Sequence, residues 1–185
     1  MYESVDGFVV RPSRVMARLA PGKRGSAYAL LALTTFVPVA IVSTLSTGER
    51  GISTALLATG YIVLAAWLGG FAAAVVARVV ARVDIGQVGR ATAYAWLGAV
   101  LGGWLLVVLV SLIAVGGFAS PAYPAAGAAA ISFLTTVVLI TRSMLAFSRG
   151  ALKLSVGKAL AVAVASTVPL WLPFVALAIA RAVVS

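Results

Sequence analysis

Four carboxylates are the only acidic side chains in this sequence, and they lie far apart, at Glu3, Asp6, Glu49 and Asp84. The chain contains no Cys and no His. This excludes disulfides, thiolate chemistry, haem ligation by His, nearly all zinc sites and the commonest general base. Lipid transferases that use metal-bound pyrophosphate need several clustered Asp residues, which this chain lacks. We therefore predict that the protein is not an enzyme and holds no metal or cofactor.

Long apolar runs between these polar residues predict the elements that position them. Of 185 residues, 63% are hydrophobic, and the mean hydropathy is +1.14, which is more apolar than a soluble domain. Five runs are close to the roughly 20 residues that cross a hydrocarbon core of about 30 Å. The predicted fold is an all-α, polytopic bundle in which residues 27–185 form one transmembrane domain. The spans are placed at 27–46, 52–76, 91–114, 125–145 and 159–180.

Polar segments separate the five runs. A tight turn is predicted at 47–51, a glycine-spaced loop at 84–89, an uncharged loop bracketed by prolines at 116–124, and a basic connector at 146–158. The second and third runs are long, which predicts tilt or extension beyond the headgroups. Because the runs are continuously apolar rather than alternating, the pattern excludes transmembrane β-strands.

Lys and Arg are distributed unevenly between the two ends of the spans. The segments before span one, between spans two and three, and between spans four and five carry 12 of the 14 basic residues. Only Arg50 and Arg181 lie on the other side. Because cytoplasmic loops are enriched in Lys and Arg, we predict a multi-pass protein of the cell membrane with a cytoplasmic N-terminus and an external C-terminus.

Residues 1–26 are predicted to form a basic cytoplasmic segment ahead of the first span. Within it, 12–20 is predicted to be a short interfacial helix, because Pro suits the first helical turn. Arg11, Arg14 and Arg18 would share one face of this helix and reach lipid phosphates, while apolar residues on another face enter the acyl boundary. A solvated basic tail is the alternative.

Five further basic residues define a second predicted interaction surface, the basic face. If the fourth helix continues past the membrane, spacings of seven and four residues place Arg142, Arg149 and Lys153 on one side of it. Arg78 and Arg82, at the end of span two, would lie beside them. Such a cluster can bind anionic headgroups or an acidic segment of a partner. The alternative is a topology signal, which needs charge but no particular geometry.

Two patterns inside the spans concern helix packing. Gly98 and Gly102 form a GxxxG in span three, which predicts close helix contact in a homodimer or, as we favour, within one bundle. Pro169 and Pro173 interrupt span five near its middle. We interpret the two prolines as a kink rather than as a binding site of the kind that broken helices form in transporters.

Polar groups within the spans are few. No carboxylate lies inside a span, which counts against proton- or cation-coupled carriers. The hydroxyls of residues such as Thr59, Thr136 and Ser166 are expected to bond to carbonyls of their own helices. Asp84, with Gln87 three residues later, fits a helix capping box better than a catalytic role.

The layout as a whole resembles the Yip1 domain family of membrane proteins. The stretch Phe-Val-Val-Arg-Pro-Ser-Arg-Val-Met at 8–16 is similar to the start of prokaryotic members. The stretch at 141–159, with Ser148-Arg149-Gly150, resembles their connector before the last span. The eukaryotic Asp-Leu-Tyr-Gly-Pro signature is absent, and the excess of Arg over Lys, with many Ala and Val, is typical of prokaryotic proteins. The link of the eukaryotic branch to Rab GTPases is therefore not carried over.

These observations predict a non-catalytic integral membrane protein that acts as a scaffold or adaptor and organises lipids or partner proteins through the basic face. Two alternatives remain open: an accessory subunit of a larger membrane complex, and a small oligomeric permease or channel-like unit. The expected partners are anionic headgroups, with a second copy of the chain or other membrane subunits as further candidates. No binding to nucleic acid is expected.

Overall fold

The computed structural model describes residues 24–47, 51–83, 85–116 and 122–184. No strand occurs in these ranges, so the all-α prediction is confirmed for them. The predicted interfacial helix at 12–20, with Arg11, Arg14 and Arg18, lies outside the described residues. The described ranges contain six helices: α1 (Arg24–Thr47), α2 (Gly51–Ala81), α3 (Ile85–Ala95), α4 (Gly98–Val115), α5 (Ala122–Gly150) and α6 (Val156–Val184).

Among the described residues, four helical segments are long and apolar enough to cross a membrane. Three of them belong to α2, α5 and α6, which have 31, 29 and 29 residues and are therefore about 44–47 Å long at 1.5 Å per residue. The fourth runs from Gly86 to Ile113 through α3 and α4. The first helix, α1, has 24 residues and contains a shorter apolar segment, Tyr28–Thr44. Large exposed apolar side chains such as Leu57 and Val79 cover the outside of the bundle, as lipid contact requires.

The five long helices form a closed ring in the order α1, α2, α6, α5, α4, each packing on its two neighbours. The short helix α3 packs on α1, α2 and α5. Since α2 and α5 are not neighbours in the ring, α3 lies inside it, and every residue from 91 to 96 is buried. We call the half of the bundle that contains α3 the α3 half, and the other half the far half. The α3 end is the end of the bundle where α2 and α5 finish and α6 begins, and the far end is the opposite one.

The third span differs from its prediction. Residues 85–89, predicted as a loop, begin α3, and the predicted span 91–114 is divided at Trp96 and Leu97. The loop prediction was wrong because this segment belongs to a helix that packs on α2. Val88 is fully buried, and the carbonyl oxygen of Gly89 lies 3.6 Å, an ordinary van der Waals distance, from the Cβ position of Gly70. At the division, Leu97 N donates to Tyr94 O at 3.1 Å, the three-residue spacing of a tighter helical turn.

Small residues on α2 allow the ring to close around α3. They recur at spacings of three and four and are all buried, so neighbouring backbones approach closely along this face. Bulky side chains from the other helices fill the remaining space in the α3 half, where Trp96, Phe147, Met144 and Leu31 are fully buried. The small residues of this face are Ala65, Ala66, Gly69, Gly70, Ala73, Ala74 and Ala77.

Candidate functional site

Exposed cations mark the end of the bundle where α2 and α5 finish and α6 begins. Arg78 lies in the last turn of α2 and Arg149 in the last turn of α5, and both are exposed. Positive charge is favourable at these positions because it interacts with the helix dipole. Arg82 directly follows α2 with a φ of 53°, and its N–H donates to Arg78 O at 3.0 Å. The backbone therefore turns sharply at Arg82 and keeps its side chain at this end.

The structure places Lys153 differently from the other residues of the basic face. Helix α5 carries Arg142 and Arg149 but ends at Gly150, so the helical spacing relates only these two. Lys153 follows in the connector with a φ of 52°, and the next residue, Leu154, donates its N–H to Ser148 O at 3.1 Å. The predicted connector of 146–158 is thus only 151–155, because α5 and α6 extend further than the apolar runs alone suggest.

Lys158 joins this cluster although the sequence analysis did not include it in the basic face. It is exposed and lies in the first turn of α6. The contact of Gly69 with Ser166 and the hydrogen bond from Tyr61 to Pro169 together show that α2 and α6 are antiparallel. Arg78, nine residues after Gly69, therefore lies at the level of residue 157 on α6. Lys158 and Arg78 are consequently at the same depth.

The basic face carries no acidic counterpart within the described part of the chain. All four carboxylates of the sequence fall outside the described ranges. Arg142 lies eight residues before the end of α5, about 12 Å along the helix, and is also exposed. The cations of the basic face therefore extend from the helix ends about 12 Å towards the apolar region. Lipid phosphates located at this depth would contact them.

The predicted GxxxG is located where α4 meets other helices of the same chain. Gly102 is buried, and a Cβ added there would collide with Thr136 Oγ1 and come within 2.9 Å of Ser132 O on α5. A Cβ on the next residue, Gly103, would lie 3.4 Å from the ring of Pro38 on α1. Close contacts of Gly102 and Gly103 are thus made inside one bundle. Gly98 is the first residue of α4.

Pro169 and Pro173 both lie within α6, which remains one helix from Val156 to Val184. Because Pro173 has no N–H, the carbonyl of Pro169 loses its usual donor four residues later. The phenolic hydroxyl of Tyr61 on α2 donates to this carbonyl oxygen at 2.8 Å. A side chain of the protein therefore satisfies the carbonyl that the second proline frees.

Trp96 is a central residue that the sequence analysis did not identify. It is fully buried, and its Nε1–H donates to Ser166 O at 3.2 Å. A Cβ on Gly69 would collide with the same carbonyl oxygen and lie 3.4 Å from the Trp96 ring. Helix α2, helix α6 and the turn that follows α3 thus meet at one carbonyl. The small residues at four-residue spacing on α2 were the sequence signal for this junction.

The hydroxyls within the spans divide into two groups. As expected, Thr136 and Ser166 donate to carbonyls of their own helices, at 2.9 and 2.6 Å. Tyr61 instead bonds across helices. Thr59 is buried and has no hydrogen-bond partner among the described residues. The expectation that hydroxyls bond to carbonyls of their own helix is therefore met at Thr136 and Ser166 but not at Tyr61 or Thr59.

In comparisons with known proteins, no family model, no curated protein and no solved structure matches this chain. Within the described ranges, the charged side chains exposed at the α3 end are Arg and Lys, which bind anions. The buried polar residues of these ranges are Ser and Thr.

Proposed function

We propose that this protein is a non-catalytic integral membrane protein of the Yip1-like kind that acts as a scaffold or adaptor in the cell membrane. Its basic face would gather anionic lipid headgroups or an acidic segment of a partner. The observation that supports the proposal best is the concentration of exposed cations at one end of the ring. These are the five residues of the basic face, together with Lys158.

The proposal includes five spans, with the N-terminus in the cytoplasm. Five helices of 18 to 31 residues form the ring, and the α3 end carries the basic residues that cytoplasmic loops favour. Membership of the Yip1 domain family is part of the proposal and rests on this layout and on the two similar stretches of sequence.

Packing in the α3 half supports a scaffold more than an open pore. Trp96, Phe147 and Met144 are fully buried there, and α3 occupies the interior of the ring. Bulky apolar side chains at this position block a polar path through the bundle. The surface at this end, rather than a passage behind it, is therefore the part available for binding.

Native mass spectrometry of the protein in mixed anionic and zwitterionic lipids tests the role of the basic face. Arg78→Gln and Arg181→Gln form a matched pair, because each residue is exposed and lies in the last turn of an apolar helix, at opposite ends of the bundle. Each cation near an anionic leaflet contributes about 1 kcal/mol, or roughly fivefold. We expect Arg78→Gln to reduce retention of anionic lipid by about this factor and Arg181→Gln to leave it unchanged.

A charge-relocation variant separates lipid binding from the topology signal. Arg149→Gln combined with Ser155→Lys keeps the number of cations in the region between α5 and α6 constant. If the basic face binds lipid through its geometry, retention falls in this variant as well. Unchanged anionic-lipid retention in both Arg78→Gln and the relocation variant would show that these charges serve topology alone, and the proposed lipid-binding role would then be abandoned.

A further inference from the structure

Four buried hydroxyls have no hydrogen-bond partner among the residues that the structure describes. One of them, Ser148 Oγ, lies near the end of α5 in the α3 half. The other three are Thr35 Oγ1, Thr59 Oγ1 and Ser132 Oγ. Their residues are 2%, 8% and 5% exposed and belong to three different helices, α1, α2 and α5. Hydroxyls in apolar helices normally bond to a carbonyl one turn earlier, as Thr92 and Thr136 do here. The three hydroxyls are therefore available to bind something else.

The contact between α1 and α2 places Thr35 and Thr59 at one depth in the bundle. Thr44 of α1 lies against Gly51 of α2, while Tyr28 lies near Gly70, so the two helices are antiparallel. Thr35, nine residues before Thr44, consequently faces α2 about nine residues after Gly51. This position is adjacent to Thr59.

Contacts of α4 place Ser132 at the same depth. Gly102 lies against Ser132 O on α5, and the next residue, Gly103, lies against the ring of Pro38 on α1. Pro38 is three residues beyond Thr35. The three hydroxyls are therefore within about one helical turn, or about 5 Å, of one another along the helix axes.

We propose that Thr35, Thr59 and Ser132 bind ordered water inside the ring. Each hydroxyl can donate one hydrogen bond and accept others, and a buried water needs two to four polar partners. The buried polar residues of the described bundle are all Ser or Thr, so this depth offers hydrogen bonds but no countercharge for an ion. The ligand chemistry is therefore that of a small neutral molecule, and water is the one to which the site is matched.

The α3 half confines this water to one side. Trp96 lies closer to the α3 end than the hydroxyls do, since it contacts Gly69, ten residues beyond Thr59 on α2. Trp96 is fully buried, and so are Phe147 and Met144 nearby in the core. These packed side chains therefore separate the water site from the basic face.

Water-edited solid-state NMR of the whole protein, labelled with ¹³C-threonine in phosphatidylcholine bilayers, tests the proposal directly. Magnetisation from water should reach Thr35 and Thr59 several times faster than Thr92. Thr92 is the matched control because it is also fully buried, but its hydroxyl donates to Val88 O at 2.9 Å. If magnetisation from water reaches Thr35 and Thr59 no faster than it reaches Thr92, the proposal is overturned.

Isosteric Thr→Val variants supply a second test, in which the direction of the change in Tm shows whether the hydroxyl binds water. Replacing a hydroxyl that holds water leaves that water without a partner, so Thr35→Val and Thr59→Val should each lower Tm by about 2–4 °C. Thr92→Val should leave Tm unchanged, because its hydroxyl bonds only within its own helix. If Thr35→Val and Thr59→Val raise Tm instead, the hydroxyls are unsatisfied in the protein and hold no water.

Discussion

The phenolic hydroxyl of Tyr61 donates a hydrogen bond of 2.8 Å to the carbonyl oxygen of Pro169, across the contact between α2 and α6. The acceptor is the carbonyl whose usual donor is missing, because residue 173 is Pro. An unsatisfied backbone carbonyl is costly in a hydrocarbon environment. The second proline of α6 and the hydroxyl of Tyr61 therefore depend on each other, and the bond fixes the register of the two helices.

Tyr61→Phe is expected to destabilise the protein by about 1 kcal/mol, because it leaves the Pro169 carbonyl without a donor while changing little of the packing. The expected fall in Tm is about 2–4 °C for a chain of this size. Thermal unfolding in detergent, followed by circular dichroism, measures the effect.

The control for this prediction is a double-mutant cycle. Pro173→Ala restores an N–H four residues after Pro169, and Pro173 is exposed, so the substitution creates no cavity. In the Pro173→Ala background, Tyr61→Phe should cost markedly less than in the parent. Equal costs in the two backgrounds would mean that the Tyr61 hydroxyl does not act through the carbonyl freed by the proline.

Gly69→Ala is expected to destabilise the junction of α2, α3 and α6. The added methyl group would collide with Ser166 O and press on the Trp96 ring, an overpacking that costs about 1–3 kcal/mol. Gly60→Ala on the same helix is the matched control, because nothing lies within 4 Å of its Cβ position. The two variants are compared by their unfolding midpoints. Equal midpoints would contradict the close contact at Gly69.

The approximate positions of the ring helices were predictable from the sequence, since long apolar runs between charged segments favour membrane-spanning helices. Their ends were less predictable, because α2 and α5 each continue five residues beyond the predicted spans. The division of the third run was not predictable in this way. Its first part, α3, combines glycines with a buried face, and hydropathy alone does not distinguish a helix inside the ring from a loop at the surface. Burial of residues 91–96 by α1, α2 and α5 decides between them.

The candidate site was also predictable only in part: the sequence showed which residues carry charge, but not how the backbone places them. Charge counting identified the basic face, but the end of α5 at Gly150, which separates Lys153 from Arg149, depends on local backbone geometry. The prolines of α6 were visible in the sequence, whereas their partner Tyr61 is 108 residues away. A contact at that separation follows only from the order of helices in the ring.

Gly102→Leu is expected to cost about 3 kcal/mol, because the side chain would collide with Thr136 on α5. Since this contact is made within one chain, the loss in Tm should not depend on protein concentration. Gly127→Leu on α5 is the control, because Gly127 is exposed and nothing lies within 4 Å of its Cβ position. A concentration-dependent loss at Gly102→Leu would instead favour a contact between two copies of the chain.

The proposed topology predicts opposite labelling of the two ends of the bundle. The native chain has no Cys, so single cysteines can be introduced without a background signal. Gly116, at the end of α4, and Ser155, before α6, are both exposed and lie at opposite ends of the ring. In sealed right-side-out vesicles, a membrane-impermeant maleimide should label Gly116→Cys and Ser185→Cys but neither Ser155→Cys nor Ser4→Cys until the membrane is permeabilised. Labelling of Gly116→Cys and Ser155→Cys from the same side would refute the five-span arrangement, and reversed labelling of all four would refute the cytoplasmic N-terminus while leaving the number of spans intact.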